Sequence, residues 1–205
     1  MSPRPIMDAG PGLNFLSLNQ ERLLFDAVGP LRVPERVEEE ILRKSRQDRR
    51  FSAAESVWRK LPDRLLQILS DDPTNEKLSR AVERISKMPF QQRIHISKNL
   101  GEVMVVSHAS VAAESGENVI ILIDDSDGRE MAKFEAKRLE RFRSLGKPVG
   151  SIHLISTLTV LQKAADRKHI PNRTAMKELY SRLRKLDDGL VPIEQTDLLH
   201  LPCWK

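Results

Sequence analysis

The order of segments along the 205 residues predicts an α/β fold, a three-layer α/β/α domain built on a central parallel sheet. Three observations carry that expectation. Short apolar stretches alternate with longer helical ones, the pattern of strand–helix–strand units whose helices cover both faces of a parallel sheet. Val119 to Ile123 is apolar without alternation, as a strand covered on both faces must be. Asn99 to Ser115 is apolar on nearly every side, which predicts a helix buried against that sheet.

The elements follow in chain order. Arg4 to Met7 reads as a strand ending at Asp8, after which AGPG predicts a turn. Leu13 to Phe25 reads as one helix and Leu31 to Val33 as a brief link. Pro34 suits a first helical position, so a helix should run from there to about Arg46. Leu65 to Leu69 is a second strand, closed by SDDPTN, and a helix follows from Glu76 to about Lys87. Beyond Val119 to Ile123, a helix is expected over Gly128 to Leu145, with Met131, Phe134, Leu139, Phe142 and Leu145 along one side. A strand at Ser151 to Ile155, a helix over Thr157 to Lys168 and a last helix over Arg173 to Leu186 complete the pattern. The whole is expected to form a single domain over 1–205, with an extended connection at 46–96 and an extension after 186.

Composition narrows the class. Hydrophobic residues at 40% and charged ones at 31% suit a globular chain rather than a disordered one. No apolar run reaches the roughly 18 residues of a membrane span, and the N-terminus lacks the build of a secretory signal. One cysteine, Cys203, allows neither an internal disulfide nor a thiolate zinc cage, and a cytoplasmic location is the expectation. The net charge of +5 gathers in Arg43–Arg50, Lys133–Arg143 and Arg167–Lys185. Such clusters are either solvated helix faces or a nucleic-acid footprint. Aromatics at 4% argue against a stacking platform for single strands.

The acids are the informative residues. In a parallel sheet, ligands sit outside the carboxyl ends of the strands, and Asp8, Asp124 and Asp125 fall at such ends. Within PERVEEEILRK, Val33, Val37, Ile41 and Lys44 recur at helical spacing, and Glu40 shares their face while Glu38 and Glu39 point away. An acid on an inward face is costly unless it is paired or bound to a metal; Lys44, four residues on, is the pairing alternative. Glu102 either delivers a carboxylate from the buried helix or completes a capping box with Asn99. Asp124 and Asp125 either cap the following helix, with Asp127 serving its dipole, or share a divalent cation that relieves their repulsion. Oxygen donors without a cysteine or histidine cluster suit Mg²⁺ or Mn²⁺ rather than zinc. The five histidines show no metal spacing.

Together these segments resemble the PIN domain, the metal-dependent ribonuclease fold of VapC-type toxins, and most closely its nucleic-acid-binding branch. IMDAGPGLNFL resembles that family's first strand with its aspartate, Asp8. LRVPERVEEEIL resembles the second motif, with Glu40 as its acid. KNLGEVMVVSHA is similar to the Gly-Glu helix start, giving Glu102. ILIDDSDGREMA resembles the Asp-Asp…Arg…Ala segment, giving Asp124, Asp125 and Arg129. ISTLTVLQKAADRKHI resembles the helix start after the next strand, with Ser156 in place of glycine. The resemblance spans about residues 5–172. Gly10 stands where many members have Ser or Asn, 46–96 is longer than the usual connection, and the tail after Leu186 has no counterpart.

The resemblance implies a ribonuclease with Asp8, Glu40, Glu102 and Asp125 as catalytic residues, which together with Asp124 would hold one or two Mg²⁺ or Mn²⁺ ions as metal ligands. Lys44 and Arg129 would then hold RNA. It also implies a protein antitoxin as partner and a homodimer. Two other readings stay open. One is a PIN-like module that binds RNA or a protein without cutting, which Gly10 keeps open. The other is an aspartate-based phosphatase, since Asp125-Ser-Asp127 places an acid two residues after a candidate nucleophile; Gly128 then stands where such motifs have Thr or Val.

Overall fold

The structure is a computed structural model and describes residues 4–204. It opens with β1 (Ile6–Met7), whose two residues are buried on both faces, and passes at once into α1 (Ala9–Ser17) and α2 (Glu21–Val28). Then come β2 (Leu31–Pro34), α3 (Glu35–Gln47), α4 (Ala54–Trp58) and β3 (Leu66–Leu69). The long return consists of α5 (Glu76–Ser86), α6 (Phe90–Arg93) and α7 (Leu100–Glu114). The chain finishes with β4 (Val119–Leu122), α8 (Ser126–Ser144), β5 (Ile152–Ile155), α9 (Thr157–Asp166) and α10 (Arg173–Leu186).

All strand pairs are parallel, in the order β3-β2-β1-β4-β5. Strand order therefore reverses between β1 and β4, where the chain leaves one half of the sheet for the other. That crevice is where ligands of open parallel sheets bind. α7 packs on β1, β2, β4 and β5 and is flanked by α3, α5 and α8. α2 and α9 pack together, and α9 on β5, to form the second helical layer. The α/β/α architecture predicted from the sequence is the one observed. No helix among the described residues is long and apolar enough to cross a membrane.

Several elements differ from their sequence reading. AGPG is the first turn of α1 rather than a reversal: Asp8 caps that helix by accepting from the Gly10 amide, and Pro11 lies where no intrahelical N–H is required. The single helix expected over Leu13 to Phe25 is two, because Asn19 adopts a left-handed conformation at φ 55° and its N–H closes α1 on the Leu16 carbonyl. Leu31 to Val33 is no link but a central strand, too short to display a period; Leu31 and Val33 are wholly buried.

The face of α8 was also misassigned. Phe134 is 60% and Leu145 76% exposed, and the buried stripe is Gly128, Ala132, Glu135 and Leu139. A buried glutamate hid that stripe from a hydrophobicity reading. Glu135 is tolerated because Arg84, Arg138 and Ser110 all donate to its carboxylate, which holds its pKa down against burial. Glu38, expected in solvent, accepts instead from the Trp58 indole.

Two glycines allow close packing around the sheet. A Cβ at Gly150 would lie 1.9 Å from the Glu117 carbonyl oxygen, and one at Gly128 would lie 2.3 Å from Ile123 Cδ1. Gly150→Ala, which meets backbone that cannot give way, is expected to cost about 3 kcal/mol in urea denaturation.

Candidate functional site

β1 and β4 end side by side. Their register pairs Ile6 with Ile121 and Met7 with Leu122, and the Asp8 amide continues the ladder onto the Leu122 carbonyl at 3.0 Å. The residues just past the two strands, Asp8 and Asp124–Asp125, are thereby held on one edge. α3 brings Glu40 and the first turn of α7 brings Glu102. Together they line a cavity of about 620 Å³ that also includes Lys44, Asp48, Arg50, Asn14, Asp187 and Asp188. Eight carboxylates face it against two cations.

Asp8 is its most constrained member. The residue is 4% exposed, and its Oδ1 is buried without any hydrogen-bond partner. Burial, then the charges of Glu102 and Glu40, push its pKa up to about 8. Two glycines make this crowding possible. A Cβ at Gly101 would stand 3.0 Å from Glu40 Oε2 and 3.6 Å from Asp8 Oδ1, so both oxygens converge over bare backbone. A Cβ at Gly128 would meet the Glu102 stem at 3.0 Å. The Glu102 pKa is likewise raised, by burial first and then by Glu40 and Asp125. Its capping alternative fails: Asn99 is left-handed, makes no cap, and donates instead to Asp127.

The remaining acids divide by role. Asp125 caps α8, with Oδ1 accepting from the Gly128 amide at 2.9 Å, and its other oxygen is uncommitted. Asp124 has both oxygens engaged, Oδ1 by the Thr157 amide at 2.8 Å and Oδ2 by the Thr157 hydroxyl at 2.5 Å. It therefore ties β4 to the start of α9. Burial raises its pKa, and the Thr157 bonds oppose the rise. Asp127 lies outside the cavity lining, which leaves Asp125 without the neighbouring acid that an aspartate phosphatase requires.

Of the two cations expected to hold RNA, one reaches the cavity. Lys44 lines it and pairs with Glu40 Oε1 at 2.7 Å, as the i,i+4 spacing allows. Arg129 does not line it; its guanidinium donates to the Ile123 carbonyl at 3.1 Å and braces the end of β4. Sequence reasoning missed Arg50, Asn14, Asp187 and Asp188. Arg50 joins two walls by pairing with Asp48 and donating to the Leu186 carbonyl. Buried Asn14 holds Asp187 Oδ2 at 2.8 Å. The Asp187–Asp188 pair after a helix was a visible signal, but it lay in the tail that no motif covered.

The donor set can be tested against a divalent ion. Among the described residues, no three His, Cys, Asp or Glu side chains stand ready to enclose one. The chemistry nevertheless suits one: hard oxygen donors, an orphaned Asp8 oxygen, and carboxyls whose pKa values are raised by burial first and by one another's charge second. Only the Lys44–Glu40 pair must yield. It is part-exposed, and pairs of that kind contribute at most about 1 kcal/mol.

No family model matches the chain, nor does any curated protein or any solved structure.

Two outcomes follow. Asp8 keeps its proton to about pH 8 when folded and loses it near the ordinary aspartate value of 3.8 when unfolded. Its contribution to stability is thus complete below about pH 4 and is lost as pH rises towards 8. Asp8→Asn, which preserves the cap, is expected to flatten that slope and to stabilise the metal-free protein by roughly 2–4 kcal/mol at pH 8 in chemical denaturation. Asp124→Ala, which strands the start of α9, is expected to cost about 2 kcal/mol by the same measurement.

Proposed function

We propose that the cavity is a divalent-cation-dependent phosphodiesterase site acting on RNA, in the manner of a PIN-type ribonuclease. One observation carries this reading: the unpartnered, buried Asp8 oxygen beside Glu40 and Glu102 at the reversal of strand order. A buried acid with a free lone pair is expensive in any role that does not use it.

Asp8, Glu40, Glu102 and Asp125 would hold one or two Mg²⁺ or Mn²⁺ ions. When bound, such ions supply an activated water and charge neutralisation at a phosphoryl oxygen. Asp124 acts as a positioning residue, fixing α9 against the cavity rim. Lys44, released from Glu40, and Arg50 are placed to neutralise a phosphate at the mouth. The resemblance further suggests a toxin whose antitoxin would cover this acidic mouth.

A second reading has its own support. Glu40 is committed to Lys44 and, among the described residues, no three acids stand ready for an ion, which suits a module that binds RNA or protein without cutting. Titration calorimetry with Mn²⁺ separates the two, since such a module has no reason to take up metal.

RNA cleavage in Mn²⁺ should fall at least about a hundredfold for both Asp8→Asn and Asp125→Asn. Each variant should also lose Mn²⁺-induced thermal stabilisation. Undiminished metal-dependent cleavage in both would sink the assignment.

A further inference from the structure

The acid cavity poses a problem for its own substrate. Eight carboxylates around one opening repel a polyanion, so a phosphate chain needs cations close by to hold it there. A second cavity, of about 540 Å³, lies along α10, the helix whose C-terminal end leads into the first. Its lining includes Lys177, Tyr180, Ser181, Arg184 and Lys185, which recur at helical spacing along one face of α10. Ile193 and Glu194 form the facing wall.

None of the three cations is ion-paired among the described residues. Arg184 is aimed by one bond, from Nε to the Leu190 carbonyl at 3.1 Å, which leaves its terminal nitrogens unused. Unpaired cations differ from those on α3, where Lys44 and Arg46 are both matched to glutamates. The two cavities are linked by the chain itself. The last turn of α10 runs from Lys185 directly into Leu186–Gly189, which lines the acid cavity. Tyr180 lines the groove, its hydroxyl anchored on the Val191 carbonyl at 2.7 Å, and lies close enough to Asp124 and Asp187 of the first cavity to feel their charge. From Lys177 to Asp187 the helix covers about 15 Å, enough for several phosphates of a strand.

We infer that the α10 groove is a binding site for the phosphate backbone of single-stranded RNA, which leads one arm of the strand away from the acid cavity. The inference rests on the nuclease reading for its choice of RNA and on the unpaired cations for its location. Aromatic stacking plays no part here, because Tyr180 is buried; the binding is electrostatic and indifferent to sequence.

The test is fluorescence anisotropy with a labelled single-stranded RNA of about ten nucleotides, in chelating buffer so that no cleavage intervenes. The double variant Lys177→Ala/Lys185→Ala removes the two cations that bond to nothing else. A matched control, Lys137→Ala/Arg141→Ala, removes the same charge from an exposed part of α8. The groove variant should bind roughly tenfold more weakly, and its log–log salt slope should shrink by about 0.7 per lysine. The control should keep the wild-type slope. Equal losses in both variants, or no RNA binding by the wild type, would overturn the groove. So would lysine-dependent binding of polyglutamate with RNA affinity unchanged, which would make it an acidic-polypeptide site. Cleavage by the wild type in Mn²⁺ separates the two readings. Lysine-dependent RNA binding without cleavage sinks only the nuclease, and cleavage with undiminished affinity in the groove variant sinks only the groove.

Discussion

The hydrogen bond from the Asp8 amide to the Leu122 carbonyl carries the ladder between β1 and β4 one residue past β1. β1 has only two residues, so this bond is a large share of what fixes its position. It sets the ends of the two strands level, and with them the acids that follow each. A slip of one residue would exchange the faces on which Ile6 and Met7 pack and lift Asp8 away from Glu40 and Glu102. The cavity is thus a consequence of strand register before it is a consequence of any carboxylate.

Around that register the energetics pull in opposite directions. The hydrophobic core, with Ile6, Val37, Val105 and Ile121 fully buried, presses α3 and α7 onto the strand ends. The same packing drives three acids together and keeps a proton on Asp8 at neutral pH. Gly101 and Gly128 mark where the backbone makes room for carboxylates. Elsewhere the fold treats buried charge differently: Glu135 is surrounded by donors, and Asp71 is held by His108 and the Arg36 amide. Of the three acids that are buried as whole residues among those described, Asp8, Asp71 and Glu135, Asp8 alone has an oxygen without a partner.

Much of this was legible in the chain itself. The unalternating Val119–Ile123 run and the all-apolar α7 gave away the parallel sheet, and Glu40 was singled out by periodicity alone. What stayed hidden has physical causes. β2 is four residues long and carries Arg32, whose charge is met by Glu117 far along the chain, so no local pattern reveals a buried strand. The true inner face of α8 contains Glu135, which reads as surface until its three partners are known. Asp187 enters the cavity only because Asn14, 173 residues away, reaches it. Long-range pairing of polar groups is the information that a local reading lacks. The adjacent acids show the limit from the other side: their number was plain, but not that each belongs to a different helix.

That division of labour at Asp124 and Asp125 has a mechanical result. Asp125 begins α8, while Asp124 reaches across to begin α9, so two neighbouring peptide units hold two helices from opposite layers of the protein. The dipeptide works as a rigid yoke. α9 cannot tilt without pulling on the end of β4, and any pull on β4 moves the mouth of the cavity. Displacing the start of α9 would therefore have to break both Asp124–Thr157 bonds or carry the end of β4 with it.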